Sequence, residues 1–543
     1  MSGGFRWASP RGSAPPAARG HAAHSTRWGA LALGALFAWS LLFQIRFLDE
    51  KLLLGDEGVA VMDAWRISQG QVPHRDFFEI VPPFSFLPTA LVFKLFGVGV
   101  LQERLLALFY GLLLVLLADR LVARFGASVW ARCLPAALLT AFGVSYWPVP
   151  SHHWVVDLLQ LGAALALLSG LDAPRPLCWG LLAGALTGLA GFSLQDQGLY
   201  FAAAVALFVL PWVPAEGGRR RMLGLAWLAG LGSTALAFAF YLLPAVSPVE
   251  LLHQWVLFPA SRYRGIPGNA TGPLAGWEMV RALWGSGAWV SRPLFNLALT
   301  ASLALTFSLP LAAVAGLAAA AWGRRWSGAR LGVLWALAAA GLGAAAHRWS
   351  LTNLVWAGPL LVPALAAGLN VYEGEGVRSR LRVAARCVAA GAAAVFTLFS
   401  ALYAIGDPAL KTTPIVAPAG SLRSTQQAEA PRLQETLDAI GRFVPRGAPL
   451  FCNGYLPMVN FLALRPNPTR FNFFFHPAYH TDAQAAEVVA TLAARRDAWV
   501  LLAYPLEPRA TVEAFVLREY DLVWRNSRCA LFGPSRRPGE KAP

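Results

Sequence analysis

The chain has 543 residues, of which 56% are hydrophobic and 14% are charged, and its mean hydropathy is +0.50. A soluble protein of this length is excluded, because several apolar runs exceed the roughly 18 residues that a helix needs to cross a membrane. The net charge of +16 comes from short arginine clusters between apolar runs, which is typical of topology signals and not of a nucleic-acid-binding face. The five cysteines lack metal-ligand spacing, so no thiolate metal site is expected.

The N-terminal 27 residues are rich in Ala, Gly, Pro, Ser and Arg and have no apolar period, which predicts a disordered cytoplasmic tail. The run 28–47 is too long for a signal-peptide core, so we predict an uncleaved first transmembrane helix. Ten further spans bring the predicted total to eleven. They lie at about residues 104–122, 128–147, 155–171, 177–193, 197–213, 222–244, 293–321, 329–346, 351–370 and 382–405.

Arginines in the loops test this count, since Lys and Arg favour the cytoplasmic side. With the N-terminus inside, every predicted inner loop is basic. The inner-loop arginines are Arg120, Arg124, Arg132, Arg175, Arg219, Arg220, Arg221, Arg324, Arg325, Arg330, Arg378, Arg380, Arg382 and Arg386. This holds only if the short apolar segment 82–96, which contains Pro88, does not cross the membrane. We therefore predict an interfacial or re-entrant helix there, inside a first outer loop at 49–103.

After the last span, helical periods alternate with short β-prone runs, which predicts a small α/β domain at 406–543. The odd number of spans places it outside, in the periplasm if the protein belongs to the inner membrane of a bacterium. The predicted fold class is thus mainly α: a polytopic helical membrane protein whose transmembrane domain spans 28–405, with interfacial helices in the first outer loop and the α/β domain outside.

The polar stretch from Gly55 to Phe86 contains five carboxylates beside apolar sequence, so chemistry is expected there. Asp56 and Glu57 begin a segment that can form an amphipathic helix on the membrane surface. One interpretation makes them an N-cap and a first-turn charge that complements the helix dipole. The other makes Asp56 a general base for an acceptor hydroxyl, since proton removal needs a positioned carboxylate or imidazole. The two interpretations are compatible.

Further polar residues lie in the predicted outer loops. Glu79 precedes a proline pair and is either part of an aromatic interface anchor or a second carboxylate near the reaction centre, and Arg75 is a candidate phosphate contact. Asp157, preceded by His153, stands at the head of a predicted span, where an ionisable residue is costly and therefore a functional candidate. Arg262 lies in the long outer loop at 246–292. No histidine has a partner at ligand spacing, so no metal site is assigned.

These motifs, in this order, resemble the polytopic lipid-phosphate-sugar glycosyltransferases of the GT-C type, the protein O-mannosyltransferase and lipid A aminoarabinose transferase group (glycosyltransferase family 39). The acidic pair Asp56–Glu57 follows the first transmembrane helix and precedes an amphipathic helix, as in that family. The segment FFEIVPPF has Glu79 in the family's acidic position, and VVDLL around Asp157 is similar to a Leu–Asp motif. The segment Gly180–Tyr200 is similar to the family's glycine-spaced helix hairpin. Val81 departs from the His or Lys that usually precedes the prolines.

The resemblance implies a glycosyltransferase that moves a hexosyl or pentosyl group from a polyprenyl-phosphate donor to a protein, lipid or glycan acceptor at the outer face of the membrane. It implies Asp56 as general base, Glu57 assisting or orienting it, and Glu79 and Asp157 shaping the substrate sites. The leaving lipid phosphate needs a cation, for which Arg75, Arg104 and Arg262 are candidates. No cofactor is required, and the need for a divalent metal stays open. The partners are the lipid-linked donor, an unidentified acceptor and membrane lipids, without nucleic acid.

Two other functions stay open from sequence. A transporter or flippase of a lipid-linked or small polar substrate is one, although its carboxylates should lie within spans, whereas here the acids cluster in the predicted outer loops. A polysaccharide polymerase or ligase with a lipid-linked donor is the other, and the acidic pair after the first helix argues against it.

Overall fold

A computed structural model of the protein describes residues 16–212, 218–262, 278, 281, 284, 292–322, 328–347, 349–371, 379–406, 412–424, 429–506 and 510–535. The helices are, in chain order, α1 (Pro16–Arg46), α2 (Asp56–Ser68), α3 (Leu87–Phe96), α4 (Val100–Arg124), α5 (Val129–Phe142), α6 (His152–Asp172), α7 (Pro176–Gly191), α8 (Gln195–Phe208), α9 (Gly218–Leu242), α10 (Pro248–Leu252), α11 (Phe258–Arg262), α12 (Pro293–Trp322), α13 (Gly328–His347), α14 (Leu351–Val371), α15 (Ser379–Gly406), α16 (Ala430–Phe443), α17 (Pro457–Ala463), α18 (Asp482–Ala494) and α19 (Thr511–Glu519). A π-helical turn, His253–Leu257, joins α10 to α11.

An apolar helix lies at each of the eleven positions where the sequence predicts a span. Eight of these helices are long and apolar enough to cross a membrane. The other three, α5, α7 and α8, have 14, 16 and 14 residues. Their buried faces, together with those of the longer helices, form one large hydrophobic core. The predicted polytopic helical fold class is confirmed.

Two helices begin earlier than the predicted spans. Helix α1 begins at Pro16, within the segment predicted as a disordered tail, because Pro at a first helical position and the alanines that follow favour helix. Residues 1–15 lie outside the described residues. Helix α6 begins at His152, where the Ser151 side chain caps it by accepting the His153 backbone N–H at 3.2 Å. Asp157 therefore lies in the second turn of α6 and not at its head.

Helices α7 and α9 cross closely through glycines spaced four residues apart. A Cβ at Gly184 would lie 1.9 Å from the Trp227 carbonyl oxygen, and one at Gly230 would lie 2.2 Å from the Leu181 carbonyl oxygen. Such small-residue spacing lets two helix backbones approach. The glycine-spaced segment thus packs against α9 over much of its length.

The loop between α1 and α4, which we name the first loop (residues 47–99), contains two short helices. Helix α2 has 13 residues and α3 has 10, so they extend only about 20 and 15 Å at 1.5 Å per residue. Neither is long enough for the roughly 30 Å hydrocarbon core. The first loop thus contains two short helices where the sequence predicts an amphipathic helix and an interfacial or re-entrant helix, and its place outside the membrane stays a prediction.

The C-terminal domain combines helices with two small sheets. Strands β1 (Thr413–Ala417) and β2 (Gly420–Ser424) form an antiparallel pair. The second sheet has the order β3-β4-β6-β5, formed by β3 (Leu450–Cys452), β4 (Trp499–Ala503), β5 (Tyr520–Arg525) and β6 (Cys529–Pro534). Strands β3 and β4 are parallel, and the other neighbours are antiparallel.

The first loop and the C-terminal domain share a hydrophobic core. Val61 and Trp65 of α2 and Phe93 of α3 pack with C-terminal residues such as Phe461 and Leu501. The rings of Phe93 and Phe461 stack at 5.7 Å between centroids. Because this core is continuous, the acidic residues of α2 are positioned by the C-terminal domain as well as by the membrane helices.

Candidate active site

Asp56 is the first residue of α2, and its side chain is exposed. The hydroxyl of Tyr455, from the C-terminal domain, donates a hydrogen bond to Asp56 Oδ1. The Tyr455 ring contacts Phe473 at 5.0 Å and Phe475 at 5.8 Å between centroids. A Cβ at Gly55 would lie 1.9 Å from the Tyr455 ring, so this approach requires glycine. Asp56 is thus a solvent-accessible carboxylate held where the first loop meets the C-terminal domain.

Glu57 points into the protein and is completely buried. Its Oε1 accepts a hydrogen bond from the Arg104 guanidinium, and its Oε2 accepts one from the Leu53 backbone N–H at 2.8 Å. Arg104, also buried, donates to Glu103 Oε1 and to the Glu50 carbonyl oxygen, both at 3.0 Å. Glu57 therefore anchors the start of α2 to α4. Arg104 is engaged by these groups and faces no solvent.

Glu79 lies against a second buried carboxylate, Asp63 of α2. Its Oε1 accepts the backbone N–H groups of Ile80 at 2.8 Å and Val81 at 3.0 Å. Burial raises the pKa of Glu79, and burial together with the neighbouring Glu79 charge raises the pKa of Asp63 well above its ordinary value. Asn472 of the C-terminal domain donates to Asp63 Oδ1. Two adjacent buried carboxyl groups are stable when they share a proton.

Arg66 lies almost one turn after Asp63 in α2 and links this helix to the rest of the first loop and to the C-terminal domain. It donates to the Asp76 carbonyl oxygen at 2.9 Å, and to the Thr469 carbonyl oxygen and Asn472 Oδ1 at 3.0 Å each. Burial lowers the pKa of Arg66 to about 10, so it stays cationic at neutral pH. Its positive charge partly compensates the buried carboxyl pair.

Three basic residues of the predicted outer loops, His74, Arg75 and Arg262, differ in burial and in their partners. His74 is buried, accepts the indole N–H of Trp255 at 3.1 Å and contacts Gln254 Oε1 at 3.0 Å. Burial lowers the pKa of His74 to about 4, so it is a neutral structural residue. Arg75 is exposed and pairs with Asp76 at 2.8 Å. Arg262 is half-buried at the end of α11.

Asp157 lies inside the helix bundle. It is completely buried, and neither carboxylate oxygen has a hydrogen-bond partner among the described residues. His153, one turn earlier, stacks on Trp356 with 3.6 Å between ring centroids and contacts the Gln197 amide at 3.4 Å. Gln160, one turn later, donates to the Gln197 carbonyl oxygen at 2.9 Å. The structure thus groups Asp157 with His153 and two glutamines, and no hydrogen bond joins it to Asp56 or Glu79.

The predicted site residues therefore occupy separate places: Asp56 at the surface, Glu57 with Arg104 in one buried cluster, Glu79 in a second, and Asp157 with His153 in the helix bundle. Among the residues that the structure describes, Arg75 and Arg262 belong to none of these clusters. Within the described ranges, no group of three or more His, Cys, Asp or Glu side chains is arranged to hold a metal ion.

The sequence analysis did not single out Tyr455, Asn472 or Asp63. Tyr455 and Asn472 contact α2 from 399 and 409 residues away, and no local pattern predicts such pairs. Asp63 did carry a signal, since a carboxylate on the apolar side of an amphipathic helix is buried and needs a partner.

Comparisons with known proteins place the fold. No protein-family model matches the chain, and no curated protein matches it. ArnT from Cupriavidus metallidurans in the apo state matches with a TM-score of 0.58 at 13% identity, over 93% of this chain and 98% of that one. ArnT bound to undecaprenyl phosphate matches with a TM-score of 0.54 at 15% identity and the same coverage. The apo oligosaccharyltransferase of Archaeoglobus fulgidus matches with a TM-score of 0.52 at 13% identity, over 87% of this chain and 69% of that one.

The chain is a multi-pass membrane protein with the GT-C fold, the fold that ArnT and the archaeal oligosaccharyltransferase share. Its similarity to ArnT, a lipid A aminoarabinose transferase, extends over nearly the full length of both chains. The resemblance drawn from the sequence motifs is confirmed as a likeness of fold.

Proposed function

We propose that the protein is a glycosyltransferase that moves a sugar from a polyprenyl-phosphate donor to a hydroxyl or phosphate acceptor at the outer face of the membrane. The observation that carries the proposal is Asp56, an exposed carboxylate on a short non-spanning helix, fixed by Tyr455. The likeness to ArnT crystallised with undecaprenyl phosphate supports the donor class. The basic inner loops support the proposed topology, in which the N-terminus is cytoplasmic and the C-terminal domain is periplasmic, in the inner membrane of a bacterium.

In the proposed reaction, Asp56 accepts the proton of the acceptor hydroxyl. The acceptor oxygen forms a bond to the anomeric carbon of the sugar, and the bond from that carbon to the lipid phosphate breaks. Glu57 orients Asp56 indirectly, because it fixes the first turn of α2 to Arg104. For the leaving phosphate, Arg75 and Arg262 are more accessible cations than the buried Arg104. Glu79 and Asp157 shape the substrate sites from buried positions.

Asp56→Asn tests the proposal. Loss of a general base reduces the rate by about 10²- to 10⁴-fold, whereas expression and the apparent unfolding midpoint should not change, because Asp56 is exposed. The measurement is transfer of label from a panel of polyprenyl-phosphate sugars to protein, lipid or glycan fractions by the purified protein. Asp521→Asn, which changes an exposed aspartate of β5, is the matched control and should transfer at the rate of the unmodified chain. Equal transfer by both variants contradicts the role of Asp56.

A transporter or flippase is the second candidate, and one observation favours it. Asp157 lies within a candidate membrane span with both oxygens lacking a hydrogen-bond partner among the described residues, as expected of a residue on an ion or substrate pathway. Uptake of a labelled substrate into vesicles that contain the protein, with no transfer from any donor, would favour this function. Loss of that uptake in Asp157→Asn would assign it to this residue.

A further inference from the structure

The C-terminal domain has a cleft of about 200 Å³ on the side that faces the first loop. We name it the domain cleft. Its walls come from α16, the start of α17, β4 and β6 of the C-terminal domain, and from residues 52 and 54 of the first loop. Leu54, Leu433, Leu456 and Leu501 give it apolar walls. Such a cavity favours an apolar group, because burial removes that group's surface from water.

The domain cleft adjoins Asp56. Leu54, in its wall, lies two residues before Asp56, and an extended chain spans about 7 Å over two residues. Leu456, which also lines the cleft, directly follows Tyr455, whose hydroxyl donates a hydrogen bond to the Asp56 carboxylate. The two segments are joined where the Met458 N–H donates to the Leu54 carbonyl oxygen at 3.2 Å. The cleft therefore borders both chain segments that carry Asp56 and Tyr455.

The lining also carries an excess of positive charge. Arg432 and Arg528 both pair with one carboxylate, Glu429. These two guanidinium groups keep the pKa of Glu429 below its ordinary value, so the carboxylate is charged and the three groups sum to one positive charge. The arginine side chains are 41% and 53% exposed. They remain accessible to an anionic group of a ligand.

We propose that the domain cleft binds a polypeptide acceptor. A bulky apolar side chain such as Leu or Phe enters it, the hydroxyl of a Ser or Thr two or three residues away reaches Asp56, and a nearby acidic side chain meets Arg432 and Arg528. This inference rests on the proposed glycosyltransferase function and names its acceptor class. Size favours a peptide over a lipid. A cavity of about 150 Å³ holds a molecule the size of benzene, so this cleft accommodates one side chain and not a long acyl chain.

Peptide binding tests the proposal without any chemistry. A fluorescently labelled peptide with the order Ser, Gly, Leu, Glu is titrated against the full-length protein in detergent, with no sugar donor present, and anisotropy is recorded. We expect it to bind about tenfold or more tightly than the same peptide with Ala in place of Leu, because a buried leucine contributes more apolar area. Equal binding of the two peptides overturns the proposal.

Protein variants locate the bound peptide. Leu433→Trp fills the cleft and should abolish the preference for Leu over Ala. Arg432→Ala and Arg528→Ala change half-exposed residues, so they should fold, and each should weaken binding of the Glu peptide by about three- to tenfold while leaving a Gln peptide unaffected. Arg518→Ala removes a more exposed arginine of α19 and should change neither. Equal weakening of the Glu and Gln peptides by the arginine variants overturns the proposed acidic contact.

The outcomes separate this inference from the proposed function. Selective peptide binding without sugar transfer from any donor would support the peptide-binding cleft and contradict the proposed glycosyltransferase function. Transfer to a lipid acceptor, with no discrimination between the Leu and Ala peptides, retains the glycosyltransferase and rejects the peptide cleft. Displacement of the labelled peptide by phosphatidylglycerol in nanodiscs, but not by unlabelled peptide, also rejects it and assigns the cleft to a lipid.

Discussion

Asp56 and Glu57 are adjacent in the first turn of α2, where successive side chains point about 100° apart. Asp56 consequently reaches solvent and Tyr455, whereas Glu57 reaches Arg104 inside the protein. An acidic pair at this place in a sequence thus supplies one accessible carboxylate and one buried anchor. The prediction of Asp56 as the N-cap was wrong, because Gly55 occupies that position and no side chain among the described residues caps the helix. Asp56 is instead the first residue of the helix, and Glu57 stands in the first turn as predicted.

We regard Tyr455 as a positioning residue, because its hydroxyl donates a hydrogen bond to the Asp56 carboxylate. Tyr455→Phe removes the hydroxyl that bonds Asp56 and keeps the ring packed against Phe473. We expect kcat for transfer to fall about tenfold, since 1.4 kcal/mol of lost positioning is a factor of ten, while KM for the donor stays unchanged. Steady-state kinetics measure both.

Tyr520→Phe is the control for this prediction. It removes a hydroxyl that bonds the Leu492 carbonyl oxygen at 3.2 Å, in the same domain but away from Asp56. A purely structural role of Tyr455 would instead lower the apparent unfolding midpoint of Tyr455→Phe and leave its kcat per folded molecule equal to that of Tyr520→Phe.

Helix α2 depends on a close contact with α17 of the C-terminal domain. A Cβ at Gly58 would lie 2.2 Å from the Met458 backbone nitrogen, and backbone atoms cannot move aside as a flexible side chain can. Gly58→Ala should therefore displace α2, destabilise the protein by about 1–3 kcal/mol and abolish most transfer. Thermal unfolding in detergent and the transfer assay measure the two effects.

Gly441→Ala provides the matched substitution. Gly441 lies in α16 with nothing within 4 Å of the added Cβ, so alanine should be neutral or stabilising by up to about 1 kcal/mol. If the two variants unfold at the same temperature and transfer equally, the α2–α17 contact does not hold the site.

The elements themselves were largely predictable, because their signals are local. Apolar runs predict the eleven bundle helices, which the structure contains, whereas the non-crossing of the segment that contains α3 stays a prediction from the arginine-rich loops. The limits appear where a boundary depends on one capping side chain, as Ser151 does for α6, and where function depends on distant partners. The sequence predicted that Asp56 and Glu79 are notable, but not that Tyr455 and Asn472 contact α2, because those contacts form only when the C-terminal domain folds against the first loop.

In the whole molecule, the buried carboxyl pair lies where the first loop joins the C-terminal domain. Asp63 and Glu79 belong to the first loop, Asn472 belongs to the C-terminal domain, and Arg66 hydrogen-bonds to both parts. The Oδ2 atom of Asp63 has no other donor among the described residues, so a proton shared with Glu79 satisfies it. The ionisation of this pair therefore determines how firmly the two parts are joined.

The last prediction follows from the sign of these shifts. The pKa of Asp63 is raised well above 3.8 and that of Glu79 is raised above 4.5 in the folded protein. As pH rises past these ordinary values, the unfolded chain releases its protons first. The free energy of unfolding therefore falls until the folded pair ionises, by up to about 1.4 kcal/mol per pH unit for each retained proton.

Asp63→Asn mimics the protonated residue, since its amide can donate to Glu79. The variant should exceed the unmodified chain in apparent unfolding midpoint by a margin that grows as pH rises above the ordinary carboxyl pKa values of about 4, until the folded pair ionises. The pKa of His74 is lowered to about 4, so this residue lowers the free energy of unfolding as pH falls below 6.5. Both chains contain His74, so comparing them at the same pH removes its contribution. Asp438→Asn, at an exposed position of α16, should show no such margin. A margin that is constant with pH would mean that the pair holds no proton.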